Sequence, residues 1–140
     1  MNNYLLFESE FYYVFLNEDD QYYLGRSVAV LKREARTLSD VLSDEWIDLG
    51  NIVKKYEIAL RKTFQATNFN WSCTMNTAYS YVEPQPQVYW HVRPRYKNSF
   101  VFNERLVRDN LFGAHYQVKR RVRLNNEFLG LITKEIQKNL

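Results

Sequence analysis

One nine-residue stretch, Gln87-Val88-Tyr89-Trp90-His91-Val92-Arg93-Pro94-Arg95, gathers the side chains best suited to chemistry in this chain. Its polarity alternates as on a strand, so Gln87, Tyr89, His91 and Arg93 share one face while Val88, Trp90 and Val92 share the other. A neutral imidazole, with a reference pKa of about 6.5, can attack or accept a proton near pH 7, and arginine offers a fixed cation to phosphate. Tyr89 is a poor nucleophile by comparison. An unperturbed phenol has a pKa of about 10, so roughly one molecule in a thousand is ionised at pH 7. Arg93, four residues along the same face, could lower that value or could bind the phosphate itself, and Arg95 adds a second charge beyond Pro94.

Other routes to catalysis are poorly supplied. His115 is the second of two histidines, and a lone histidine in an irregular region reads best as a surface or hydrogen-bonded structural residue. Two histidines leave a catalytic zinc ion short of an identified third ligand, so no metal and no cofactor are expected. Asp19-Asp20 falls in a turn and Asp44-Glu45 at a helix start, positions with structural explanations of their own. Ser72 and Ser80 lack a nucleophile-elbow setting. With four glycines, at 25, 50, 113 and 130, there is no Gly-rich phosphate loop.

The elements that must position the motif can be read from periodicity. Phe11–Leu16 is rich in rings and β-branched residues and reads as a strand, ended by Asn17-Glu18-Asp19-Asp20. A second strand is expected from Gln21 to about Lys32, antiparallel to the first, with Gly25 as a bulge or close-approach point. From Ser43 the period changes: Trp46, Leu49, Val53, Tyr56, Leu60 and Phe64 form the apolar stripe of a long helix, with Ser43 as its cap and Asp44 and Glu45 at its positive end. Phe69–Asn76 alternates as a third strand, and Thr77–Pro86, with two prolines, is a loop. The motif strand then presents its apolar face to the helix and its polar face to the opposite side. Residues 99–123 show no sustained period and imply irregular structure with a short strand or turn. A final helix is expected over Glu127–Lys138, with Leu129, Ile132 and Ile136 on one stripe.

The motif resembles that of the histidine triad (HIT) family, three histidines alternating with apolar residues, followed by two apolar residues and often Pro-Arg. The order of Tyr23-Leu24-Gly25-Arg26, an apolar strand, one long helix, the Phe69–Asn76 segment and the motif strand is similar to that family over about residues 10–97. The run Pro94-Arg95-Tyr96 looks closest to a bacterial branch that includes diadenosine polyphosphate hydrolase-like members. The resemblance implies an α+β fold, an antiparallel sheet of about five strands with the long helix on one face and a C-terminal helix, in a single domain over residues 1–140. It also implies a homodimer and a pocket for nucleoside phosphates cleaved at the α-phosphorus, with the middle histidine as nucleophile. Here the triad positions are Gln87, Tyr89 and His91, so the triad is degenerate. The resemblance further places Asn76 at a phosphate-holding amide and Asn17 near a ribose contact; Arg93 and Arg95, from their charge beside the motif, are expected as further phosphate ligands. The family's Gly-Gln pair before the triad has no counterpart, since residues 77–86 contain no glycine.

Composition bounds the rest. One domain is the default at 140 residues, and an aromatic content of 16% implies a ring-rich interior. The single Cys73 excludes an internal disulfide framework and reads as a buried thiol in a reducing compartment. No apolar run has membrane-spanning length and the N-terminus lacks a signal-peptide pattern, so a cytoplasmic protein without a membrane partner is expected. The net charge is +3, yet residues 91–123 hold nine Arg and Lys against Glu104 and Asp109. That asymmetry favours an anionic partner, and the run Lys119–Arg123 fits either such a partner or a solvated face. Nucleic acid is the weaker candidate because no recognised binding motif accompanies the charge. The expected function is a nucleotide- or phosphate-binding pocket with impaired or lost nucleotidyl transfer. The alternative is a nucleoside-phosphate hydrolase that works by direct water attack or through Tyr89.

Overall fold

Helix α1 (Ser43–Phe64) forms over the span its periodicity predicts, and its caps explain both ends. The Glu45 carboxylate accepts the Leu42 amide at 2.8 Å and a two-pronged contact from Arg33 at 2.8 and 3.0 Å. Ser43 is therefore the first helical residue rather than the cap, and the buried Glu45 satisfies the free end. Arg61 and Lys62 occupy the last turn, where the helix dipole favours cations, and Gln65 turns the chain away in the left-handed region. Leu49, Ile52, Tyr56, Ala59, Leu60 and Phe64 are buried, while Trp46 flanks the stripe.

This is a computed structural model of the chain, and it describes residues 3–140. Strands β1 (Leu5–Glu8), β2 (Tyr12–Leu16) and β3 (Ser27–Leu31) precede α1; β4 (Asn68–Ser72) and β5 (Tyr89–Arg95) follow it. All five pair antiparallel in the order β1-β2-β3-β5-β4. A separate hairpin, β6 (Phe100–Phe102) and β7 (Arg105–Val107), turns through Asn103 and Glu104, both at positive φ as a two-residue hairpin turn requires. The last element is α2 (Asn126–Gln137), capped by the Asn125 side chain, which accepts the Phe128 amide at 2.8 Å. It buries Leu129, Ile132 and Ile136. The expected α+β architecture, five antiparallel strands with one long and one C-terminal helix, is thus the observed one.

The sheet has two unlike faces. Tyr12, Val14, Leu16, Ala29, Leu31 and Val92 form the core face under α1, all almost fully buried. Tyr56 reaches across to hydrogen-bond Ser27 Oγ and, at 3.1 Å, the Gly25 carbonyl. Trp71 Nε1 donates to Glu57 at 3.1 Å, and the Trp90 ring meets Trp46 edge-on at 6.1 Å. Val88 and Val92 are fully buried, so the apolar face of the motif does meet the helix layer.

Three boundaries differ from the sequence reading. The aromatic N-terminal region contains β1, which pairs with β2. The second strand is short, because residues 17–26 fold as a hydrogen-bonded turn. There Gln21 accepts the Gly25 amide at 2.8 Å and donates to the carbonyls of Asn17 and Arg26 at 2.7 and 2.9 Å. Gly25 sits at φ +90°, and a β-carbon there would lie 3.1 Å from Leu60 Cδ2, so both conformation and space call for glycine. The third strand ends at Ser72, before Met75 enters the left-handed region. No helix among the described residues is long and apolar enough to cross a membrane.

Candidate functional site

Strand β5 lies between β3 and β4, which fixes the surroundings of each motif side chain. Tyr89 stands opposite Val30, His91 between Val28 and Ser72, and Arg93 opposite Asn70. Partners in an antiparallel register share a face, so Tyr89, His91, Arg93 and Arg95 all project away from α1. The segment between β7 and α2 covers that side as a strap. One end is tied at Asp109, and the other at Val122, whose amide donates to Asp20 at 3.1 Å while its carbonyl accepts the Gln21 amide at 2.7 Å.

His91 is half-buried, with Nδ1 enclosed and without a hydrogen-bond partner among the described residues. Burial, then the charges of Arg93 and Arg26, pushes its pKa down to about 4, so the ring is neutral at pH 7. Tyr89 packs edge-on against it at 4.9 Å. No group among the described residues hydrogen-bonds the Tyr89 hydroxyl, so no base is in place to take its proton.

The two arginines of the strand behave differently. Arg95 uses all five N–H donors: Asp109 takes two at 2.7 and 3.2 Å, and Asn70 Oδ1, the Ala114 carbonyl and the Leu111 carbonyl take the others at 2.9–3.0 Å. It holds the strap in place and has no donor left for a ligand. Arg93 is just as buried, at 5% exposure, yet it forms no ion pair among the described residues. Its Nε and Nη1 are enclosed without partners. The Tyr116 ring lies 4.2 Å from Cζ, and Asp20, paired with Arg26, attracts the charge without contacting it. Burial and Arg26 lower its pKa from the usual guanidinium value, but arginine remains cationic. A desolvated cation–π contact gives back about 2 kcal/mol, against about 3–5 kcal/mol for a buried charge left without its counterion.

The remaining predicted ligands lie apart from this centre. Gln87 Nε2 donates to the carbonyls of Leu31 and Arg33, each at 2.8 Å, and its Oε1 accepts the Ala35 amide at 3.1 Å. Gln87, expected as a site residue, is instead engaged in fastening the exit of β3. Asn17 Oδ1 accepts the amides of Asp19 and Asp20 at 3.0 and 2.9 Å in an Asx turn. Asn76 is exposed at the start of a short 3-10 turn over Asn76–Ser80. His115 is exposed too, with Nδ1 2.6 Å from the Tyr116 carbonyl. No cluster of three or more metal-ligating side chains occurs among the described residues.

Two participants were not singled out in the sequence. Arg26 precedes β3 with the same parity as Val28, the partner of His91, and forms an ion pair with Asp20. Its Nε is buried and unpartnered, like the free atoms of Arg93 and His91. Tyr116 comes from the strap. Only the β3–β5 register and the path of the strap bring these residues to the motif, and neither leaves a local pattern.

No protein-family model and no curated protein matches the chain. Solved structures do match it. A hypothetical histidine triad nucleotide-binding protein of Sulfolobus tokodaii superimposes with a TM-score of 0.70 at 15% identity, over 99% of this chain and 84% of that one. A histidine triad protein of Marinobacter aquaeolei gives 0.71 at 16% identity, over 97% and 87%. The diadenosine triphosphate hydrolase of Plasmodium falciparum gives 0.61 at 15% identity, over 99% and 80%. Nearly the whole chain is covered in each comparison, and the chain has the fold of the histidine triad proteins.

Proposed function

We propose that this chain is a histidine triad protein whose pocket binds a nucleotide or another phosphorylated small molecule and has lost histidine-based nucleotidyl transfer. The loss is supported by the packing of Tyr89, which the resemblance puts at the nucleophile position, against His91 with no base at its hydroxyl. Binding is supported by the buried, unpaired charge of Arg93 on the same face and by the solved neighbours described as nucleotide-binding or as a dinucleotide hydrolase. Arg95 acts from behind, by holding the strap. A homodimer that extends the sheet across the outer edge of β4, which ends the strand order, belongs to this reading and is checked by light scattering.

The test is calorimetry with nucleoside mono- and polyphosphates, alongside turnover assays on dinucleoside polyphosphates and nucleoside phosphoramidates. Binding without turnover is expected. Turnover by wild type that disappears in His91→Ala would mean that the chemistry survives, and absence of any nucleotide binding would remove the pocket. Hydrolysis by direct water attack gains no support from His91, because a pKa of about 4 makes the neutral ring a weak base at pH 7.

A further inference from the structure

The geometry points to a built oxyanion site in which Arg93, Arg26 and His91 together hold a phosphoryl group beneath the ring of Tyr116. It deepens the pocket reading above and rests on it for the phosphate character of the ligand, but its own support is separate.

The contrast between two arginines on one strand carries it. Arg93 and Arg95 are two residues apart, on the same face and equally buried. Around Arg95 the fold supplies five acceptors, including a carboxylate. Around Arg93 it supplies none among the described residues, although Nε and Nη1 are enclosed. The third nitrogen, Nη2, is not among the enclosed atoms, so the guanidinium keeps one edge open to an incoming ligand. Two more enclosed and unpartnered nitrogens belong to the same neighbourhood: Arg26 Nε and His91 Nδ1. Arg93 and Arg26 both lie close enough to His91 to lower its pKa, and Arg26 acts on Arg93 in the same direction.

The chemistry of these unpartnered nitrogens indicates the ligand class. Arg26 is already neutralised by Asp20, and His91 is uncharged, so the group carries one positive charge in excess. Donors approach from three side chains on two strand segments. A carboxylate has two oxygens in one plane, whereas a phosphoryl group offers three or four in a tetrahedral arrangement and can meet all three side chains. The resembled motif has an apolar residue where Arg93 stands, so the added cation also changes what the pocket takes. Tyr116 covers the site loosely: its hydroxyl is 3.5 Å from Ser72 Oγ, the outer limit of a hydrogen bond.

The full chain is titrated with inorganic pyrophosphate and, separately, with AMP, and is melted with and without pyrophosphate. Wild type is expected to bind pyrophosphate, with Arg26→Gln and Arg93→Leu each weakening it about tenfold or more. Without the anion, Arg93→Leu is expected to melt several degrees above wild type, because an uncompensated buried charge is gone, and to gain nothing from pyrophosphate. A lower melting temperature or failure to fold in Arg93→Leu would show a structural charge and overturn the site. So would unchanged pyrophosphate binding in Arg26→Gln and Arg93→Lys. AMP binding with pyrophosphate refused overturns this site and leaves the nucleotide pocket standing. Pyrophosphate binding with AMP refused keeps the site and removes the nucleotide reading.

Discussion

Replacing Gln87 separates a catalytic from a structural role for this residue. Its amide holds three backbone groups around the exit of β3: the carbonyls of Leu31 and Arg33 and the amide of Ala35. The Ala35 carbonyl in turn accepts the Val88 amide at 2.9 Å, so the side chain supports the entry of β5 as well. Each such bond contributes about 1 kcal/mol net, and the nearly buried Ala35 amide left without a partner adds a desolvation penalty of about 1 kcal/mol or more. The side-chain entropy released offsets about 1–2 kcal/mol of this total. Gln87→Ala should therefore cost roughly 2–3 kcal/mol, or a melting shift of roughly 6–12 °C for a chain of this size. Urea unfolding followed by tryptophan fluorescence reads the change directly, with the slope unaltered if both end states keep their compactness. Gln87→His should lose less, roughly 1–2 kcal/mol, because an imidazole can replace some of the three bonds but not all. The same variant should bring no nucleotidyl transfer, even combined with Tyr89→His. A Gln87→Ala protein within about 0.5 kcal/mol of wild type would refute the structural role, since such changes are typical of surface positions that hold nothing.

Three further outcomes follow from the packing. Because the His91 pKa is about 4 in the folded chain and about 6.5 unfolded, the unfolded state takes up the proton first; stability is full above about pH 6.5 and falls toward pH 4, by roughly 1–2 kcal/mol after allowing for partial exposure. The difference in melting temperature between wild type and His91→Asn, followed from pH 7.5 to 4 at constant ionic strength, isolates that loss. Glu45→Ala removes the acceptor of both Arg33 and the Leu42 amide and should cost about 2–3 kcal/mol in chemical denaturation. Gly25→Ala forces a side chain to φ +90° and against Leu60, which should lower stability by about 1–3 kcal/mol, read by the same unfolding curve.

What the sequence disclosed and what it concealed differ by the range of the interactions involved. The span of α1 and the two faces of the motif strand follow from periodicity within one segment, and both stand in the structure. Glu45 was assigned to the dipole at the helix start but is buried, because Arg33, twelve residues earlier, arrives to pair with it. Gln87 shares parity with His91, so alternation alone groups the two; only the length of β3 shows that the amide meets a chain exit. The extended reading of Gln21–Lys32 fails because Asn17, Gln21 and Gly25 satisfy one another locally, as turn formers do. Arg26 and Tyr116 join the site through a strand register and a strap, both set by long-range packing that leaves no local period.

The strand order has a consequence for how the molecule comes apart. Strands β1, β2 and β3 form one contiguous meander, β4 and β5 a second unit, and the two meet along the β3–β5 seam after the whole of α1 has intervened. Pairings that close so long a loop form at high entropic cost. Arg26 stands on one side of that seam and His91 and Arg93 on the other. An anion held among them would act as a rivet across the joint, slowing its opening and so lowering the unfolding rate more than it raises the folding rate. Occupancy of the site and the lifetime of the native sheet then become one quantity.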